Sequence, residues 1–132
     1  MCCSWRRAAR NGALFLLLLA LFSCGCGGAK QKLLDDSQHA VETALDAWQR
    51  GDKPDSLLAG TEAIEFFDDD WNRSVTLVEY TIHQTYFETD GTPRCAVDLV
   101  LKHGTRQPEQ VRVTYEMVNK EDRLVIARDP MS

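Results

Sequence analysis

The stretch that decides the fold is "VTLVEYTIHQTYFETDGTPRCAVDLVLKH", residues 75–103. Its first part alternates apolar and polar residues with a period of two, the pattern of a strand with one buried face. "CAVDLVLKH" repeats that pattern. Between them, Asp90-Gly91 is a strong hairpin signal, because the favoured two-residue turn needs left-handed backbone. A turn centred there sets Tyr80 opposite Leu101, Ile82 opposite Leu99, Gln84 opposite Val97 and Tyr86 opposite Cys95. The other face then pairs Glu79 with Lys102, His83 with Asp98 and Phe87 with Arg94. Apolar groups gather on one side and opposite charges meet on the other. Each such pair contributes roughly 0.2–1 kcal/mol.

Working outward, "VRVTYEM" alternates again, with Val111, Val113, Tyr115 and Met117 on one face. A turn at "NKED" leads into "RLVIAR" and places Met117 opposite Leu124 and Tyr115 opposite Ile126. Toward the N-terminus the period changes to 3.6. Val41, Ala44, Leu45 and Trp48 form the single apolar stripe of a helix over residues 30–49, with Gly51 where a helix-ending glycine belongs. Asp35 and Asp36 suit its early part. Pro54 opens a second, short helix that Gly60 closes. The expected fold class is therefore α+β, with an amphipathic helix and a short second helix packed on a roughly four-stranded antiparallel meander. Removing Trp48 from the centre of that layer is expected to cost about 3–5 kcal/mol.

Between helix and sheet lies "TEAIEFFDDDWNRS". Ile64, Phe66 and Phe67 add a short strand or pack under the sheet's edge. Asp68, Asp69 and Asp70 admit two readings. Hard cations want several carboxylate oxygens, but three consecutive acids cannot enclose an ion. A solvated turn whose carboxylates cap local amides explains them better.

The N-terminal segment has a different character. Arg6, Arg7 and Arg10 precede the ten-residue apolar run "ALFLLLLALF", residues 13–22, and Ser23 then precedes Cys24. Ten helical residues reach ~15 Å, half of a ~30 Å hydrocarbon layer, so a cleaved export signal over residues 1–23 fits better than a spanning helix. Leu21-Phe22-Ser23-Cys24 resembles the bacterial lipobox. That resemblance implies cleavage between Ser23 and Cys24, with Cys24 as the lipid-bearing first residue of the mature chain. Two or more acyl chains anchor a protein stably. Residues 24–32, with Gly25, Gly27 and Gly28, then read as a flexible tether, and residues 33–130 as the domain.

Charge and cysteines bound the function. Fifteen Lys and Arg face 20 acidic residues; without the three early arginines the balance is 12 against 20, a net −8. That excludes a nucleic-acid binder, which needs cations against phosphates. Cys24-x-Cys26 is half of a zinc pattern with no second half, so no metal or cofactor is expected. Cys26 and Cys95 are a candidate disulfide in an oxidising envelope, and Cys2 and Cys3 leave with the signal.

The chain as a whole resembles small envelope lipoproteins of planctomycete-type bacteria with cystatin/NTF2-like domains. The likeness rests on Trp48-x-x-Gly51, Asp69-x-Trp71, Tyr80 and Val125-Ile126-Ala127-Arg128. It implies an exported, membrane-anchored protein facing the periplasm or cell surface, and carries over no catalytic residues. Three functions compete. One is a non-catalytic binding or adaptor module contacting the membrane through its lipid and an envelope protein through its domain. Another is an NTF2-like small-molecule-binding protein or ketosteroid-isomerase/SnoaL-like enzyme. It needs a base and an oxyanion donor in one pocket, and Asp98, His83 and Tyr80 are the available set. Because His83 and Asp98 are expected on the face opposite Tyr80, they do not converge. The third, cystatin-like protease inhibition, lacks the Gln-x-Val-x-Gly loop. The binding module is the reading this leaves.

Overall fold

The computed structural model describes residues 27–132. The expected signal, the Ser23–Cys24 cleavage site and Cys26 lie outside the described residues.

Helix α1 spans Gly27–Gln49. It starts earlier than its apolar stripe suggests, so residues 27–32, expected in the flexible tether, are helical. Ala29, Lys30, Gln31 and Lys32 are strong helix formers. Gln31 and Lys32 also reach Asp35 and Asp36 one turn on, at 2.8 and 2.6 Å. The stripe behaves as expected: Val41, Ala44, Leu45 and Trp48 are all buried. After a 3-10 helix, Pro54–Ala59, come strand β1 (Ile64–Phe67), a one-turn helix α2 (Asp69–Asn72), and strands β2 (Thr76–Phe87), β3 (Pro93–Lys102), β4 (Glu109–Asn119) and β5 (Leu124–Arg128).

The sheet has five strands in the order β1-β5-β4-β3-β2. It is mixed, not the four-stranded antiparallel meander expected. Ile64 to Phe67 form the fifth strand, and β1 runs parallel to β5, with Phe66 beside Ile126. Two apolar side chains on one face of β1, Ile64 and Phe66, join the core and draw the strand to the sheet's free side.

The hairpin register also differs. Glu88 N–H donates to Thr92 C=O at 2.9 Å and Gly91 N–H to Glu88 C=O at 2.9 Å, so three residues, not two, form the loop. Gly91 at φ +84° takes the left-handed position of that turn. Tyr86 therefore opposes Arg94 and Thr85 opposes Cys95. Bulges at Val78 and His83 then shift the pairing twice, setting Tyr80 opposite Leu99, Ile82 opposite Val97 and Leu77 opposite Leu101. Each bulge inserts one residue and flips which residues face inward. Tyr80 and Ile82 keep the side expected of them because the odd loop and the bulge at His83 offset one another. The β4–β5 turn is displaced by two residues, so Met117 meets Ile126 and Tyr115 meets Arg128. A shift of two preserves the faces.

The layer between α1 and the sheet is filled. Val41, Ala44, Leu45, Val97, Leu99, Val113, Tyr115 and Ile126 have no exposed surface. The sheet's other face carries the polar alternates.

Candidate functional site

The structure separates the three groups weighed for catalysis. Tyr80 lies on the helix side, where its hydroxyl donates to Asp46 Oδ1 at 2.6 Å. Burial, then the Asp46 carboxylate, pushes the phenol up to about 12. His83 and Asp98 lie on the other face of the sheet. Asp98 is opposite Thr81 rather than His83, yet the bulge carries His83 Nε2 to 2.7 Å from Asp98 Oδ2. Arg112 completes the cluster. Its Nε and Nη2 donate to the two Asp98 oxygens at 2.7 and 3.1 Å, and Gln110 Nε2 adds a bond of 3.0 Å. Arg112 first, then His83, holds the Asp98 carboxyl well below the usual range. Arg112 Nη2 also stands 2.9 Å from His83 Nε2, so that nitrogen meets a carboxylate when protonated and a guanidinium when not. A carboxylate so fully engaged is a poor base. Nearby, Arg94 faces Asp129, Glu116 and Glu88 at 2.6, 3.6 and 3.7 Å.

The acidic run resolves into the capping reading, with one difference. Asp68 is not solvated but buried, at 2% exposure. Its Oδ1 accepts from the N–H groups of Asp70 and Trp71 at 2.9 and 3.3 Å, capping α2. Its Oδ2 accepts from the Tyr115 hydroxyl at 2.8 Å. Burial foremost, with the Asp68 charge behind it, drives the Tyr115 phenol far above its ordinary value. Arg128 Nη1 binds Asp70 Oδ2 at 2.8 Å, so β4 and β5 both hold α2 in place. Among the described residues no group of three or more His, Cys, Asp and Glu is arranged to hold a metal. Cys95 is buried and has no disulfide partner among the described residues.

The feature that positions a surface is the meeting of two helix ends. After α1, Gly51 N–H donates to Trp48 C=O and Asp52 N–H to Ala47 C=O, with Gly51 at φ +86°. After α2, Ser74 N–H donates to Trp71 C=O and Val75 N–H to Asp70 C=O, with Ser74 at φ +62°. Both are the same left-handed C-terminal cap. They are written in similar words, Trp48-Gln49-Arg50-Gly51 and Trp71-Asn72-Arg73-Ser74. The two indoles stack with centroids 5.4 Å apart and planes 6° from parallel. Each indole N–H crosses to the other helix's exit: Trp48 Nε1 donates to Val75 C=O at 2.8 Å and Trp71 Nε1 to Asp52 C=O at 2.9 Å. The two indoles line a groove of about 670 Å³, walled by residues 49–55 on one side and by Asn72 and residues 74–76 on the other. Sequence reading placed Trp48 but not its partner. The near-repeat of four residues was the signal that could have paired them.

The geometry defines a two-layer α+β domain. No family model, curated protein or solved structure matches the chain. Among the described residues no helix is long and apolar enough to cross a membrane.

Proposed function

We propose that this chain is an exported, lipid-anchored envelope protein whose domain is a non-catalytic binding module. The single observation that carries the binding reading is where the concave surface lies. The space between α1 and the sheet, where an NTF2-like enzyme would hold its substrate, is packed with side chains of no exposure. A hollow of about 670 Å³ lies outside it, over the stacked tryptophans, and is open to solvent. The separation of Tyr80 from His83 and Asp98 supports the same conclusion. The anchor is supported by Leu21-Phe22-Ser23-Cys24 after an apolar run of export-signal length.

Fractionation of cells expressing the chain tests the anchor. The Cys24→Ala variant is expected in the soluble fraction or unprocessed, while the parent chain stays with membranes through an alkaline wash. A variant that pellets like the parent overturns the anchor. Crosslinking in intact cells, followed by purification through the C-terminus and mass spectrometry, tests the module. One recurrent envelope protein joined through domain residues is the expected result, and lipid alone overturns it.

A further inference from the structure

Of the three asparagines in the chain, one begins an Asn-x-Ser triplet, Asn72-Arg73-Ser74. That triplet accepts N-linked glycans when its middle residue is not proline and the stretch lies at the surface of an exported chain. Asp70 adds an acid two residues before the acceptor, the longer form of the triplet that bacterial transferases favour. The fold meets the surface condition. Asn72 ends α2, Arg73 and Ser74 form the turn after it, and all three are exposed. Neither the Asn72 amide nor the Ser74 hydroxyl has a hydrogen-bond partner among the described residues, so a group attached there displaces no contact.

The backbone at Ser74 is a second, independent observation. Ser74 stands at φ +62°, the one non-glycine with positive φ among the described residues. The matching cap after α1 uses Gly51, the residue such a cap favours. Serine strains the cap, and its hydroxyl makes no bond within the domain that offsets the strain. Strain of this kind collects where a particular side chain serves function. In the triplet, the hydroxyl is the group that glycine cannot supply.

We infer that Asn72 is the acceptor of an N-linked oligosaccharide, added as the chain is exported. The inference goes beyond the binding reading and rests only on the export half of the proposed function. The donor is an oligosaccharide carried on a polyprenyl diphosphate, and a membrane transferase brings donor and acceptor together. The amide Nδ2 of Asn72 bonds to the anomeric carbon of the sugar. The bond from that carbon to the diphosphate oxygen breaks, and its electron pair leaves with the lipid diphosphate. Nδ2 gives up one proton to a base of the transferase, and nothing is oxidised or reduced. Transfer precedes the folding of this stretch. In the folded chain α2 ties Asn72 N–H to Asp68 C=O and Arg73 N–H to Asp69 C=O, each at 3.0 Å, so the triplet is no longer an extended segment. Once α2 has formed, the exposed Asn72 leaves its glycan in solvent on one wall of the groove.

The full chain, purified through its C-terminus from the cells that make it, provides the test. Peptide mass spectrometry of the stretch around Asn72 should find the mass of one oligosaccharide added to that residue. Asn72→Gln and Ser74→Gly should each abolish the added mass. Neither side chain makes a bond in the domain, so circular dichroism should show both variants folded. Asn119→Gln, which lies outside any such triplet, should leave the added mass in place. A processed, membrane-bound chain with Asn72 unmodified overturns the inference and leaves the export reading standing. An added mass that survives either substitution overturns it as well. A chain that stays in the cytoplasm overturns the export reading, and this inference with it.

Discussion

Ser74→Gly should make the protein more stable. Ser74 closes the α2 end at φ +62°, a region that costs an L-residue about 1–2 kcal/mol. Glycine removes that cost but gives the unfolded chain more freedom, worth about 0.4–1 kcal/mol. The difference is a gain of roughly 0.5–1 kcal/mol, or about 2–6 °C in Tm for a domain of this size. The flanking bonds from Ser74 to Trp71 and Val75 to Asp70 are backbone only, so the substitution removes none of them. The mirror substitution provides the control. Gly51 holds the same cap at φ +86°, and an added Cβ there meets nothing within 4 Å. Gly51→Ala should therefore lose about 1 kcal/mol from backbone strain alone. Thermal melts of the two variants beside the parent read both signs. A Ser74→Gly variant that melts at or below the parent temperature would refute the argument, since the hydroxyl would then be making a contact the cap does not contain.

Three further outcomes follow from named contacts. Trp71→Phe keeps an aromatic ring in the stack but leaves the Asp52 carbonyl without its 2.9 Å donor; chemical denaturation should show a loss of about 1–3 kcal/mol. Asp68→Ala removes the α2 cap and strands the buried Tyr115 hydroxyl, a loss of about 2–4 kcal/mol in the same assay, with Asp68→Asn losing less. The pH dependence has two limbs. Tyr80 is raised to about 12 from an unfolded value of 10.0, so its contribution is complete below pH 10 and disappears as pH rises toward 12. Absorbance titration of the parent against Tyr80→Phe should show one phenol missing from that range. Asp98 is depressed by Arg112 and His83, so its contribution holds above about pH 4 and is lost as pH falls below it. Asp98→Asn should flatten that acid limb.

What was legible in the sequence was periodicity, and what was not was pairing. The stripe of Val41, Ala44, Leu45 and Trp48 names a buried helix face because 3.6 spacing has no other use there. The alternation in β3 and β4 names the core side of each strand for the same reason, whereas in β2 the bulges move it, so that Leu77, Tyr80, Ile82 and Thr85 share the core side. Register is another matter. A single extra loop residue, Thr89, and two bulges, at Val78 and His83, each move the ladder by one position. None of them alters the composition of the stretch. The parallel strand β1 was unreadable as such, because its partner β5 lies about sixty residues away and only tertiary packing joins them. Asp68 shows the same limit. Three adjacent carboxylates look alike in sequence, and only the fold selects the one that Tyr115 and the α2 amides enclose.

The start of α1 changes what the proposed anchor implies. Residues 27–32 of the expected tether belong to that helix. A flexible nine-residue tether would let the domain turn freely over a membrane. With the proposed anchor at Cys24, a helix over that stretch holds the body near one end. The groove over Trp48 and Trp71 lies at the other end of that helix, 21 residues on at Trp48, or about 32 Å along its axis. The proposed anchor and the groove are thus toward opposite ends of α1. On the proposed anchor, the groove faces away from the bilayer. A proline at position 30 tests this, since Lys30→Pro removes a backbone donor from the first turns without touching the core. Accessibility of a cysteine introduced at Asn72 to a membrane-impermeant maleimide, in intact spheroplasts or vesicles of known sidedness, reports the outward pole. It should be fully labelled in the parent background, while a cysteine at Gln31 is shielded by headgroups. Breaking the helix with Lys30→Pro should reduce that contrast. Equal labelling at both positions in the parent would mean that the domain does not stand on α1.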